Sequence, residues 1–230
     1  MMHIAEGVLS PAILGVGAVL TLTGTALGLR KLESDRLAAV GILSAAFFVA
    51  SLIHVPVGLS SAHLIMNGLA GVLLGWAAFP SILVALLLQA LLFQFGGITV
   101  LGVNAFTMGF AAVASWYVFR AVCRLCPGMV GVRAGAFMGG ALGVALAAVL
   151  TALALAFTDE GFWLAARLLL LAHLPIMLVE GLVTMFTVSF IMRVRPELLG
   201  MPPVQPDNGQ EDACFNPQPP RPPTDSAADG

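Results

Sequence analysis

Charge is scarce in this sequence. Only 10% of its 230 residues are charged, against about 25% in an average soluble domain, and 59% are hydrophobic. A chain with so few charges cannot cover a water-exposed surface, so the composition excludes a soluble globular domain. The sequence therefore predicts an integral membrane protein.

An excess of positive charge is also missing. The net charge is −2, with 10 Lys and Arg against 12 Asp and Glu, and the basic residues form no dense cluster. Nucleic-acid binding needs such a cluster to neutralise phosphates, so nucleic acid is excluded as a partner. The phosphate-binding pattern GxxxxGK[ST] is absent too, so we expect any ATP hydrolysis to come from another subunit and the chain itself not to be an enzyme.

Cysteine is rare. Cys123, Cys126 and Cys214 are odd in number and are expected in or near the cytosol, so we predict no disulfide framework. Cys123 and Cys126 form a CxxC pair, which alone supplies only half of a zinc site. We assign it no metal role and expect no resident cofactor.

Long apolar runs, by contrast, are abundant. A helix needs about 20 apolar residues to cross the hydrocarbon core. Candidate spans lie at residues 8–29, 37–56, 62–79, 81–95, 104–122, 134–157 and 168–192. The first lacks a basic leader and a cleavage site, so we expect it to remain in the protein. The pattern predicts an all-α membrane domain of seven transmembrane helices in residues 1–200.

Basic residues predict the orientation, because Lys and Arg favour the cytoplasmic side. One side collects Arg30, Lys31, Arg36, Arg120, Arg124, Arg133, Arg193 and Arg195. We therefore expect the N-terminus outside the cell inner membrane and the C-terminus in the cytoplasm. Residues 1–7, 54–61 and the glycine-rich stretch 96–104 then share the external face, and the last of these is expected to be a loop that enters a pocket.

Residues 201–230 form a second region. They contain eight prolines together with Asp, Asn, Gln, Gly and Ser. Such a segment cannot bury enough apolar surface to offset its conformational entropy. We expect a disordered, proline-rich cytoplasmic tail.

The chain has four histidines. His54 is expected at the membrane interface, and His173 is expected to bond a backbone carbonyl freed by Pro175. His3 and His63 are expected to meet in one outer cavity beside the glycine-rich loop. Imidazole binds late first-row divalent metals well, so this pair predicts a metal site.

The terminal amine completes the predicted donor set. If the chain starts at Met2, the Met2 amine, the His3 amide nitrogen and the His3 imidazole give three nitrogens and leave a fourth position for His63. If Met1 is retained, a second amide fills that position and His63 has no place in the plane. We therefore expect Met2 to be the physiological start.

Several motifs resemble those of the CbiM/NikM family, the substrate-binding membrane subunits of energy-coupling-factor (ECF) cobalt and nickel transporters. They are HIAEGVLSP at the terminus, SSAHLIMNGL, QFGGITVLGVNAFTMG and LVEGLVT. The resemblance covers about residues 2–195. It implies a helical bundle that captures the metal outside with the terminal amine, His3 and His63. It also implies three partners: a CbiQ-like transmembrane coupling subunit, a CbiO-like ATPase subunit and a small CbiN-like accessory subunit.

Other residues have weaker assignments. Ser60, Ser61 and Asn104 are candidates either to orient the imidazoles by hydrogen bonds or to cap helices. Glu180 is an acid within a span, and we expect it to make a helix-packing hydrogen bond far from the outer site. The small residues of GVGAVLTLTGTALG in the first span are a candidate face for docking on the coupling subunit.

Two other classes of protein were weighed. An intramembrane hydrolase would need a strained nucleophile and an acid that orients its base, and neither is evident. A passive channel leaves HIAEG and the outer histidines without a purpose. We predict uptake of Co²⁺ for cobalamin synthesis, with Ni²⁺ as the alternative, since a four-nitrogen plane favours nickel on affinity alone.

Overall fold

The computed structural model describes residues 4–32, 34, 37–52, 54–57, 60–63, 66–195 and 199. Its α-helices are α1 (Pro11–Arg30), α2 (Leu37–Leu52), α3 (Asn67–Leu74), α4 (Ala78–Phe93), α5 (Leu101–Leu125), α6 (Gly128–Ala156) and α7 (Trp163–Val194). Two strands, β1 (His54–Val57) and β2 (Ser60–His63), form an antiparallel hairpin. The predicted tail, residues 201–230, lies outside the described residues.

Five apolar helical segments of the described chain are long enough to cross a membrane, so this is a multi-pass membrane protein. They are Pro11–Arg30, Asn67–Phe93, Leu101–Leu125, Gly128–Ala156 and Trp163–Val194. The helix α2 is shorter, with 16 residues. The predicted helical bundle is therefore confirmed in outline.

The hairpin departs from the all-α prediction. Residues 54–63 were expected to end one span and begin the next, but they pair as two strands with His54 opposite His63. Pairing satisfies backbone groups that a broken helix would leave exposed to lipid, which is why a hairpin can replace a helix here. The predicted span 62–79 thus loses its first two residues to β2, and the helix α3 begins at Asn67.

The segment Asn67–Phe93 is not one straight helix. A short 3₁₀ turn, Gly75–Ala77, separates α3 from α4. Gly75 has φ +56°, a left-handed conformation that glycine adopts without steric cost. The chain can therefore change direction between α3 and α4.

The small residues of α1 pack inside the bundle. Gly17, Thr21, Gly24 and Gly28 are buried. A Cβ on Gly24 would overlap the ring of Phe79 in α4, so this contact requires glycine. The expectation that this face docks on a coupling subunit is wrong, because α4 and α5 already cover it.

Glycines also bring α3 against the centre of the bundle. A Cβ on Gly68 would overlap the backbone of Gly140 in α6, and one on Gly71 would overlap Ala112 in α5. Close backbone contact of this kind is typical of helices packed in membranes. Almost every residue of α3 is buried as a result.

Candidate metal centre

The first described residues are held by Asn104, which lies in the first turn of α5. The Ile4 N–H donates to Asn104 Oδ1 at 3.1 Å, and Asn104 Nδ2 donates to the Ile4 carbonyl at 3.2 Å. Both residues are at least 95% buried. The side chain of Asn104 thus pairs with Ile4 as a neighbouring strand would, and it fixes the chain immediately after His3.

A second contact joins the terminal segment to the loop between α4 and α5. Glu6 Oε1 accepts hydrogen bonds from the Thr99 N–H at 3.1 Å and from Thr99 Oγ1 at 3.3 Å. Gly97, at φ +114°, lies so close that a Cβ there would overlap the Glu6 side chain. The predicted proximity of residues 1–7 to the glycine-rich loop is therefore confirmed for Glu6 and Thr99.

Most of the predicted ligands lie outside the side chains that the structure describes. Met2 and His3 lie outside the described residues, and the structure describes only the backbone of Ser60, Ser61 and His63. His63 ends β2, opposite His54. The convergence of His3 and His63 stays a prediction.

Asn104 takes a role that the sequence did not indicate. We expected it to orient an imidazole or to cap a helix, but α5 begins at Leu101 and both amide atoms bond the backbone of Ile4. Asn104 therefore bonds the backbone of the residue that follows His3. The 100-residue separation of the two partners left no local signal for this pairing.

Glu180 makes a packing hydrogen bond inside the bundle, as expected. It is fully buried in α7, and its Oε1 and Oε2 lie 2.9 Å and 3.1 Å from the Met66 nitrogen, which donates to them. Met66 follows His63 by three residues. The Glu180 carboxyl group thus joins α7 to the chain that follows β2.

His173 has a structural hydrogen bond, as predicted. Its Nδ1 lies 2.6 Å from the Leu169 carbonyl of the same helix. The carbonyl is one turn before the histidine and is not the one that Pro175 frees. The bond is made within α7, so it gives His173 no part in the predicted metal site.

No group of three or more His, Cys, Asp and Glu side chains with metal-binding spacing occurs in the part of the chain that the structure describes. Cys123 is buried in α5 and Cys126 is exposed beyond its end. The terminal segment makes polar contacts with the bundle at Ile4, and the chain after the hairpin makes one at Met66.

The architecture places the protein among membrane transport proteins for metals. Two solved structures, described as a transition metal transporter and a truncated transition metal transporter, each share 28% sequence identity with it. The TM-scores are 0.66 and 0.65, and the alignments cover 84% and 83% of this chain and 93% and 98% of those chains. Both of those structures are described as transporters and not as enzymes.

The family follows from the sequence comparisons. The family model CbiM, described as the cobalt uptake substrate-specific transmembrane region, matches residues 3–198, and the chain belongs to this family.

Some relatives are described as cobalt transport proteins and others as nickel transport proteins. A metal transport protein of Haemophilus influenzae is 44% identical and aligns with 86% of this chain and 97% of its own. The cobalt transport protein CbiM of Kyrpidia tusciae is 34% identical, with 92% of both chains covered. The fused nickel transport protein NikMN of Rhodobacter capsulatus is 34% identical over 86% of this chain and 64% of that protein.

Proposed function

We propose that this chain is the substrate-binding component of an ECF-type transporter that imports Co²⁺ for cobalamin synthesis. The observation that carries the proposal is the anchoring of the terminal segment. Asn104 holds Ile4 and the α4–α5 loop holds Glu6. The Ile4–Asn104 pair is buried and the Glu6–Thr99 contact is exposed, and together they hold the segment that follows His3 to α5 and to the loop before it. A terminus that supplies ligands needs such anchoring.

The ligands in this proposal are nitrogen atoms. The Met2 amine, the His3 amide nitrogen and the His3 imidazole are three donors on adjacent residues, and His63 is the fourth. Imidazole and amine nitrogens are better ligands for Co²⁺ and Ni²⁺ than carboxylate oxygens are. The metal is cargo here, and we propose no resident cofactor.

The proposed topology has seven crossings in the cell inner membrane, with the metal site outside and the C-terminus in the cytoplasm. Phe79 at the start of α4 packs on Gly24 in the second half of α1, whereas Thr99 beyond the end of α4 bonds Glu6 ahead of α1. These contacts support an antiparallel arrangement of α1 and α4. The positive residues support the same orientation.

The proposed complex contains CbiQ-like, CbiO-like and CbiN-like subunits. The chain has no phosphate-binding loop of its own, which supports an ATPase partner. A fused relative named NikMN extends well beyond the length matched here, which supports a small additional membrane subunit. The family's description as a substrate-specific region is in keeping with a division of labour among subunits.

Uptake of labelled Co²⁺ and Ni²⁺ at trace concentration tests the proposal in cells that express the complete transporter. We expect Co²⁺ to accumulate and excess Co²⁺ to displace Ni²⁺. His63→Ala should abolish accumulation, and His54→Ala, on the facing strand, is the matched control that should retain it. Equal uptake in cells carrying His63→Ala would overturn the site.

Nickel is the second candidate. A plane of four nitrogens that includes an amide favours Ni²⁺ over Co²⁺ in affinity, and the relative named NikMN is described as a nickel transport protein. Accumulation of Ni²⁺ that a modest excess of Co²⁺ cannot displace would replace cobalt by nickel and leave the proposed site intact.

A further inference from the structure

The start of α3 has an unusual cap. Met66 is its N-cap residue and has φ 52° and ψ 11°, a left-handed conformation that is unfavourable for a residue with a side chain. The Met66 side chain caps nothing, although its carbonyl accepts the first helical bond from Ala70 at 2.8 Å. Something outside α3 has to stabilise this backbone geometry.

Glu180 supplies the missing partner from another helix. In a capping box, a Glu three residues into the helix accepts a bond from the N-cap N–H. That position in α3 is Leu69, which has no acceptor, and the carboxyl group of Glu180 bonds the Met66 N–H instead. The positive end of the α3 dipole also favours a carboxylate at this place.

Asn67 also anchors the start of α3. Its Nδ2 donates to the Gly143 carbonyl of α6 at 3.0 Å, and its Oδ1 accepts from the Gly68 N–H at 2.8 Å. Asn67 and Glu180 are both fully buried. The first residues of α3 are thus bonded to α6 and to α7, so the end of the segment that carries His63 is anchored in the bundle.

We infer that Glu180 is a positioning residue for the metal site, acting through the backbone of Met66 on His63. This inference rests on the proposed function, because it assumes that His63 is a ligand. Three residues span at most about 11 Å when extended, so a fixed Met66 limits how far His63 can move from the start of α3. Loss of the Glu180 bond releases this restraint and lets Met66 leave its unfavourable conformation.

Calorimetric titration of the purified full-length chain with Co²⁺ and with Ni²⁺ tests the inference. Glu180→Leu removes the acceptor and should lower the affinity for either metal about tenfold or more. Glu180→Gln retains an acceptor oxygen and should restore affinity to within about threefold of the unaltered chain. The visible absorption spectrum of bound Ni²⁺, which depends on ligand geometry, should change in Glu180→Leu and stay unchanged in Glu180→Gln.

Thr184→Val is the matched control. Thr184 lies one turn further along α7 and is also fully buried, but its hydroxyl bonds no group in the described part of the chain. We expect normal affinity in this variant. If Thr184→Val loses as much affinity as Glu180→Leu, or if Glu180→Leu binds normally, the inference is overturned. Should Glu180→Leu fail to fold, Glu180→Asp, whose carboxylate is one methylene short of Met66, takes its place with the same expected loss.

Hydrogen exchange without metal separates this inference from the proposed function. The amides of residues 66–70 should exchange faster in Glu180→Leu than in Thr184→Val. That result would support the anchoring even if the unaltered chain bound no metal, in which case the proposed function alone would fail. Equal protection in the two variants would remove the anchoring itself.

Discussion

Replacing Asn104 by alanine should release the terminal segment and weaken metal binding. The substitution deletes both hydrogen bonds to Ile4, the one at 3.1 Å to its N–H and the one at 3.2 Å to its carbonyl. Ile4 is 5% exposed and Asn104 is 3% exposed, so water cannot replace these bonds while the segment stays docked. The segment therefore has to lift away or keep two unpaired backbone groups buried.

The size of the effect follows from these two bonds. A protein hydrogen bond contributes a net of about 0.5–1.5 kcal/mol, so the pair stabilises the docked segment by about 1–3 kcal/mol. A change of about 1.4 kcal/mol is tenfold in an equilibrium constant. Metal binds only the docked form in our proposal, so the apparent affinity should fall by about fivefold to a hundredfold. The contact of Glu6 with Thr99 also holds the segment, so a stronger contact there means a smaller loss of affinity.

The assay is titration of the purified chain with Co²⁺, accompanied by a thermal unfolding curve. Asn104→Asp keeps an acceptor for the Ile4 N–H but loses the donor to its carbonyl, so we expect an intermediate affinity. Ser115→Ala is the matched control, since among the described residues this fully buried hydroxyl on α5 bonds only the Ala111 carbonyl of its own helix. An Asn104→Ala protein with unaltered affinity and an intact fold would refute the reasoning.

Three further outcomes are expected. Gly97→Ala places a Cβ against Glu6 at φ +114° and should lower Co²⁺ affinity roughly tenfold in titration, whereas Gly41→Ala, which has open space, should not. His173→Ala should bind Co²⁺ normally by calorimetry, because its bond is internal to α7, and lost binding would contradict this. A tag fused ahead of the terminus should suppress uptake, and intact-mass analysis should show Met2 as the first residue; full uptake by the tagged protein would show that no free amine is needed.

Hydropathy predicted the helices well because crossing a membrane demands a long apolar run. The first predicted span, 8–29, became α1 at Pro11–Arg30, with proline at the start where its missing N–H costs nothing. The hairpin at residues 54–63 was missed because it is short and lies between two apolar runs. A hydropathy window averages over such a segment and assigns its ends to the flanking helices.

The polar contacts of the candidate site were harder to predict than the helices. Asn104 pairs with Ile4 across 100 residues and Glu180 with Met66 across 114. Helical periodicity can place Asn104 and Glu180 on a face of a helix, but it cannot say which distant backbone group arrives there. The sequence could therefore identify polar residues worth attention without indicating their partners.

The segments anchored at Ile4 and at Met66 both depend on the helix α6. The Ile4 anchor belongs to α5 and the Met66 anchor to α7, and α6 packs closely against both. A Cβ on Gly135 would crowd Phe119 of α5, and one on Gly140 would overlap the Glu180 carbonyl of α7. The glycines of α6 therefore let α5 and α7, which carry the two anchors, pack closely against it. In our proposal this packed core positions the two ligand-bearing segments, because Ile4 follows His3 directly and Met66 follows His63 by three residues.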